Sequence, residues 1–111
     1  MQQVRQPVLM FYAFDLTDAP VGWAMVQMLG QDDVSLIAYL VHEPFRRKGY
    51  GRQLISDLQS RFKRIETECM EKTKNAVGNK TCRKMGFVPY PCGKEGIYKM
   101  VWKKEENDEA K

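Results

Sequence analysis

Apolar residues in this chain switch between a period of two and a helical period, and each switch marks an element. Val8–Phe14 is an apolar run that predicts a strand, closed by the turn Thr17-Asp18-Ala19-Pro20. Val21–Leu29 predicts a second strand, and Gly30–Asp33 turns the chain into a third, the β-branched run Val34–Val41. These three are expected to form an antiparallel meander. From Gly51 the spacing becomes helical: Leu54, Ile55, Leu58 and Phe62 share one face, predicting a helix over Gly51–Lys63. In Arg64–Met70 the period returns to two, with Ile65, Thr67 and Cys69 alternating with Glu66 and Glu68. A short helix over Asn75–Met85 follows, with Val77, Thr81 and Met85 on one face. Gly86 suits its left-handed C′ position and Phe87 packs back over the last turn. Tyr90 and Ile97–Trp102 close the sheet as a hairpin around Pro91–Gly96. The pattern predicts one mixed α/β domain over residues 1–102, with a polar tail at 103–111. Phe11, Phe14, Trp23, Met25, Met28 and Trp102 are read as core, and Trp23 and Trp102 are also candidates to face a dimer partner.

Chemistry concentrates at the junction of the third strand and the first helix, Val41–Gly51, V-H-E-P-F-R-R-K-G-Y-G. A strand that ends in a glycine-punctuated turn places backbone N–H groups at a helix N-terminus, where the dipole favours negative charge. Gly49 and Gly51 leave the main chain open to close approach. Arg46, Arg47, Lys48 and Arg52 add positive charge around the same point. An ordinary turn with a solvated basic face has the same spacing. Neither G-x-x-x-x-G-K-[ST] nor G-x-G-x-x-G is present, so nucleotide loops of those kinds are not indicated.

Composition narrows the classes. The chain has 111 residues, 43% of them hydrophobic, which fits one domain with one core and excludes a disordered chain. No apolar run is long enough for a membrane span and no leader pattern is seen, so a cytoplasmic protein with no membrane partner is expected. Cys69, Cys82 and Cys92 are odd in number without C-x-x-C spacing, so they read as reduced thiols and neither a disulfide framework nor a metal site is expected. The net charge of +4 is uneven. Between His42 and Arg64 seven Lys or Arg stand against Glu43 and Asp57. Few aromatics are interleaved with these cations, which weakens a nucleic-acid reading.

The segment Arg46–Gly51, R-x-x-G-x-G, preceded by a strand ending in Val41, resembles the acyl-CoA pyrophosphate loop of the GNAT superfamily of N-acetyltransferases. That family commonly shows V-x-P-x-[FYW]-R-x-x-G-x-G. Here Glu43-Pro44 stands where Pro usually comes first, and Phe45 fills the aromatic position. A second block, Asn75-x-x-Gly78-x-x-x-Cys82-x-Lys84-x-Gly86-Phe87, is similar to the family's N-x-x-A-x-x-x-Y-x-K-x-G-F. The resemblance spans roughly residues 8–102 and implies a mainly antiparallel sheet with a central, splayed parallel pair, flanked by helices. It also implies acetyl-CoA as cofactor, with CoA as product, and an amine acceptor.

By the same resemblance the splayed strands are Val34–Val41 and Arg64–Met70, and the backbone of Tyr39, Leu40 and Val41 pairs with the pantetheine arm. A main-chain N–H near Val41 serves as oxyanion donor, and the loop Arg46, Arg47, Lys48, Gly49, Tyr50, Gly51 and Arg52 takes the diphosphate. Asn75 contacts the pantetheine region. The tyrosine that often protonates the departing thiolate is Cys82 here; a thiol could donate a proton, or Cys82 could be a small packing residue, with Tyr90, Tyr98 or water as substitutes. Glu68 and Glu66 are the candidate bases, acting through water, ahead of His42 and Glu43. Where some histone-modifying members carry a glutamate, Ser35 falls. Members usually begin with a further strand and two helices, for which this sequence leaves no room. An open acceptor side is therefore expected, suited to a protein amine or covered by a second subunit. A non-catalytic CoA-binding or interaction module of the same fold is the alternative.

Overall fold

The computed structural model describes residues 7–73 and 76–104. Among these, six strands and two α-helices follow in the order β1 (Val8–Phe14), β2 (Pro20–Met28), β3 (Asp33–Val41), α1 (Tyr50–Arg61), β4 (Arg64–Met70), α2 (Val77–Lys84), β5 (Val88–Pro91) and β6 (Ile97–Lys103). The strands form one sheet in the order β1-β2-β3-β4-β6-β5. The β1–β2–β3 meander is antiparallel, as the turn signals predict, and among the described strands only the neighbours β3 and β4 run parallel. Both helices begin and end within two residues of the predicted bounds. The predicted tail beyond Lys104 lies outside the described residues.

The core lies between the sheet and α1. Leu54, Ile55 and Leu58 of α1, with Phe62 just beyond it, meet Val21, Ala24, Val26, Val34, Leu36 and Ile65 from the sheet. Phe11 meets Phe62 edge-on, with ring centroids 6.2 Å apart. Two core expectations need correction. Phe11, Met28 and Trp102 do pack against the core, but Phe14 is exposed, and Trp23 and Met25 point to the face of the sheet away from α1. In α2 the inward residue is Cys82, while Val77 is largely exposed, because Tyr39 rises from the sheet to meet Gly78.

One irregularity in β3 positions everything that follows. Val26 pairs with Leu36, but Met25 pairs with Ala38, so Ile37 is an extra residue. Such a bulge reverses the alternation of faces beyond it. Leu36 points to the core, and after the bulge Tyr39 and Val41 do so instead of Ala38 and Leu40. At the same point β3 parts from β4: parallel pairing covers Asp33–Arg64, Val34–Ile65 and Ser35–Glu66, and stops. The Thr67 hydroxyl donates to the Leu36 carbonyl at 3.0 Å and closes the apex of the fork.

Beyond α2 the chain ends the helix as the sequence predicts. Gly86 is left-handed (φ 97°), its N–H bonds the Arg83 carbonyl at 3.1 Å and the Phe87 N–H bonds the Cys82 carbonyl at 3.1 Å. That double bond is the Schellman arrangement. A Cβ on Gly86 would meet Trp102 at 3.3 Å. Gly86→Ala is expected to lower unfolding free energy by about 1–2 kcal/mol through the left-handed backbone alone, read from urea denaturation; an unchanged midpoint would contradict the cap.

Candidate active site

The fork between β3 and β4 opens towards the N-terminus of α1, and there the structure holds a cleft of about 670 Å³. Its walls come from the end of β3 (Tyr39, Leu40, Val41), the loop that follows (Phe45, Arg46, Arg47 and Gly49), the first turn of α1 and one side of α2 (Val77, Gly78, Thr81). The loop residues named from the sequence are thereby brought together. Arg46, Arg47, Gly49, Tyr50, Gly51 and Arg52 all line the cleft. Lys48 does not, and its ammonium instead lies 5.7 Å from the centre of the Phe45 ring.

The loop is built to leave a helix end unsealed. The first N–H groups of a helix have no intrahelical acceptor. Most helices cover them with a Ser, Thr, Asp or Asn cap, but the N-cap of α1 is Gly49, with no side-chain bond and no acid in the first turn. Gly49 is left-handed (φ 89°), and a Cβ there would meet only open space. Arg47 is left-handed as well (φ 66°), which is costly for a residue with a side chain. The Nε of Arg46 donates to the Val41 carbonyl at 2.8 Å, so this arginine braces the loop against the end of β3. Bare amides, aligned dipole and surrounding guanidinium groups together form an anion site.

Deeper in the cleft stands a group that sequence reasoning used only for its backbone. The Tyr39 phenol crosses from β3 to α2 and donates to the Gly78 carbonyl at 2.8 Å. Gly78 makes room for it: a Cβ at that position would lie 3.0 Å from the phenol oxygen. Burial pushes the phenol well above its ordinary value, and the neighbouring Cys82 thiol pushes the same way. Cys82 is itself 2% exposed and does not line the cleft. Burial raises its thiol to about 11, against a hydrogen bond with Tyr39 that lowers it. A small Gly at 78 facing a strand Tyr was the available signal, but only the bulge turns Tyr39 inward.

The two candidate bases lie elsewhere. Glu66 and Glu68 alternate with Ile65 and Thr67, so they point away from the helices, and neither lines the cleft. Glu66 has both oxygens engaged: Oε1 with Arg64 at 2.8 Å and Oε2 with Lys99 at 2.9 Å. Burial raises its carboxyl, but hydrogen bonds from Arg64 and Lys99 outweigh that and hold it below its ordinary range. Glu68 is half exposed, with Lys94 3.5 Å away, and is the less committed of the two. His42 and Glu43 are exposed at the end of β3. Tyr90 is exposed on the edge strand β5, and the Tyr98 hydroxyl accepts from Asn79 at 2.6 Å. Asn75 lies outside the described residues.

The profile of the acetyltransferase (GNAT) family matches residues 2–87. The chain belongs to this family. No curated protein matches the sequence. Among solved structures, Ard1 from Thermoplasma volcanium superposes with a TM-score of 0.66 at 20% identity, covering 82% of this chain and 68% of that one. An acetyltransferase from Thermus thermophilus gives 0.70 at 20% identity, with 86% and 64% covered. A spermidine N-acetyltransferase from Vibrio cholerae gives 0.68 at 14%, with 86% and 65% covered. At these identities the likeness is one of fold, and this chain spans about two thirds of their length or less. The mixed sheet with its splayed parallel pair is the GNAT fold, and no helix among the described residues is long and apolar enough to cross a membrane.

Two outcomes follow from the site's geometry. Arg47→Gly removes backbone strain along with one charge. Unfolding free energy is therefore expected to hold or rise by up to about 1 kcal/mol while affinity for CoA falls, read by thermal melts and calorimetry; a fall in both would contradict the strained-loop account. Glu66 has a lowered folded pKa, so its stabilisation is complete above the ordinary value of 4.5 and is lost as pH falls through the folded value. Glu66→Gln is expected to flatten the acid limb of the stability curve below that pH; a wild-type slope in the variant would show that Glu66 is not the titrating group.

Proposed function

We propose that this GNAT protein is an acetyl-CoA-dependent N-acetyltransferase acting on a primary amine. The observation that carries this reading is the alignment of an unsealed, arginine-flanked helix end with an opened strand fork in one cleft. The residues present fit the donor. The amides of Gly49 to Arg52 and the guanidinium groups of Arg47 and Arg52 suit a diphosphate. The main chain of Tyr39 and the Val41 N–H, turned to the β4 side where the fork ends the pairing, suit an amide-bearing arm, while the Val41 carbonyl is held by Arg46. Acetyl-CoA supplies the activated acyl group.

The chain's own groups divide the remaining work. A backbone N–H at the end of β3 orients the acyl carbonyl and stabilises charge that gathers on its oxygen. The Tyr39 phenol lies on the cleft wall and is our candidate acid for the leaving sulfur, its proton turning there from the Gly78 carbonyl. Tyr39 thus takes the role that the resemblance assigns to position 82, from a strand instead of a helix. On the opposite face of the sheet Glu68, half exposed, is the candidate to relay a proton from the incoming amine through water. A protein amine fits this side best, because no helix among the described residues covers the sheet there.

A second reading has its own observation. Cys82 is buried outside the cleft and Glu66 is held by two cations, which favours a module that binds the cofactor without turning it over. Acetyl-CoA calorimetry followed by thiol release over a panel of amines and peptides separates the two. Binding with turnover supports the enzyme, and binding without turnover supports the module. Gly49→Glu is expected to abolish binding by placing a side chain and a negative charge at the helix end. Tyr39→Phe is expected to lower kcat at least tenfold with KM for acetyl-CoA unchanged. If Tyr39 only packs, kcat would hold while the lost hydrogen bond to Gly78 costs about 1 kcal/mol of stability.

A further inference from the structure

The two edges of the sheet are built differently. The β5 edge is four residues long and carries Pro89 and Pro91, which remove donors and blunt it against pairing. The β1 edge is seven residues long, V-L-M-F-Y-A-F, with neither a proline nor a charge. Among the described residues nothing pairs with its outer side. Val8, Leu9, Met10, Tyr12 and Phe14 are all exposed, Tyr12 and Phe14 each at 53%. Natural sheets guard such edges, and an unguarded one is a template for another strand.

The main chain shows which groups are on offer. The Met28 N–H bonds the Pro7 carbonyl at 2.9 Å, and register continues from Val8–Gln27 onward. In an antiparallel ladder the bonding direction alternates by residue. Leu9, Phe11 and Ala13 therefore bond β2, while Val8, Met10 and Tyr12 turn their N–H and C=O groups outward. The side chains of those same three residues lie on the sheet face that no helix among the described residues covers. The neighbouring strand extends this apolar face through Trp23 and Met25.

We propose that β1 is the seam of a homodimer, in which two copies pair antiparallel through β1 and their sheets continue as one. A second copy is the occupant that the strand's chemistry fits. With the two-fold axis at Phe11, Val8 faces Phe14 and Met10 faces Tyr12, so each apolar side chain meets another and the outward main-chain groups find partners. Charge near the seam is already balanced: Arg61 lies over the Phe11 ring at 5.1 Å and is paired with Asp57 at 3.2 Å. With ~100 Å² offered by each of Tyr12 and Phe14 and somewhat less by Val8, Leu9 and Met10, the strand presents roughly 400 Å² per copy, below the standard size of specific interfaces and in the range of weak, transient ones. The dimer is therefore concentration-dependent.

The test is sedimentation equilibrium of the full chain over a wide concentration range, with amide exchange followed residue by residue. Wild-type protein is expected to dimerise, and the Val8, Met10 and Tyr12 amides to gain protection as the dimer fills. Leu9, Phe11 and Ala13 are protected at every concentration by β2. Met10→Lys and Tyr12→Lys, both on exposed side chains, are each expected to raise the dissociation constant by about tenfold or more with unchanged circular dichroism. A wild type that stays monomeric overturns the proposal. So does a dimer that survives both variants but is lost in Ile37→Lys, which would place the contact on the sheet face. None of these readouts depends on acetyl transfer, so they succeed or fail independently of the function proposed above.

Discussion

The parting of β3 from β4 is the constraint on which the rest of this structure depends. Parallel pairing lasts for three residue pairs, and one extra residue, Ile37, then bends β3 away. The bend does two things together. It parts β3 from β4 along Tyr39 to Val41, and it reverses the faces so that Tyr39 enters the space below α2. Without the bulge, Leu40 would point inward and Tyr39 outward, and the cleft would have no phenol. The Thr67 hydroxyl on the Leu36 carbonyl fixes where the parting starts.

The second half of the site depends on polar groups left without partners. An α1 without a side-chain cap and a left-handed Arg47 each cost stability. A local cost concentrated where positive charge gathers is the pattern expected of a ligand site. Arg46 limits that cost by tying the loop to the Val41 carbonyl. The arginines of this loop therefore have different tasks: one braces the backbone, while Arg47 and Arg52 face the cleft.

Most of the fold was legible in the sequence because its elements follow the simple periods. The meander, both helices and the Gly86 cap appear where the apolar spacing and the turn residues put them. The anion loop was legible because its glycines and basic residues are contiguous. What the sequence hid is what arises between elements. No period announces the bulge at Ile37, so the inward turn of Tyr39 could not be read. The engagement of Glu66 was hidden as well, since Lys99 reaches it from a strand 33 residues further on. Val77 looked apolar enough to be buried, yet the Tyr39–Gly78 contact sets which side of α2 faces the sheet. Phe14, Trp23 and Met25 looked like core for the same reason: hydropathy gives burial but not which face of a sheet a helix will cover.

The central claim is that the fork and the α1 N-terminus form one acyl-CoA groove. Titrating isotope-labelled protein with CoA while following backbone amide shifts tests it most directly. The account predicts that the largest shifts fall together on Tyr39–Val41, Gly49–Arg52 and Gly78, with little change at Glu66 or along β5. Shifts confined to exposed lysines, or none at saturating CoA, would contradict it.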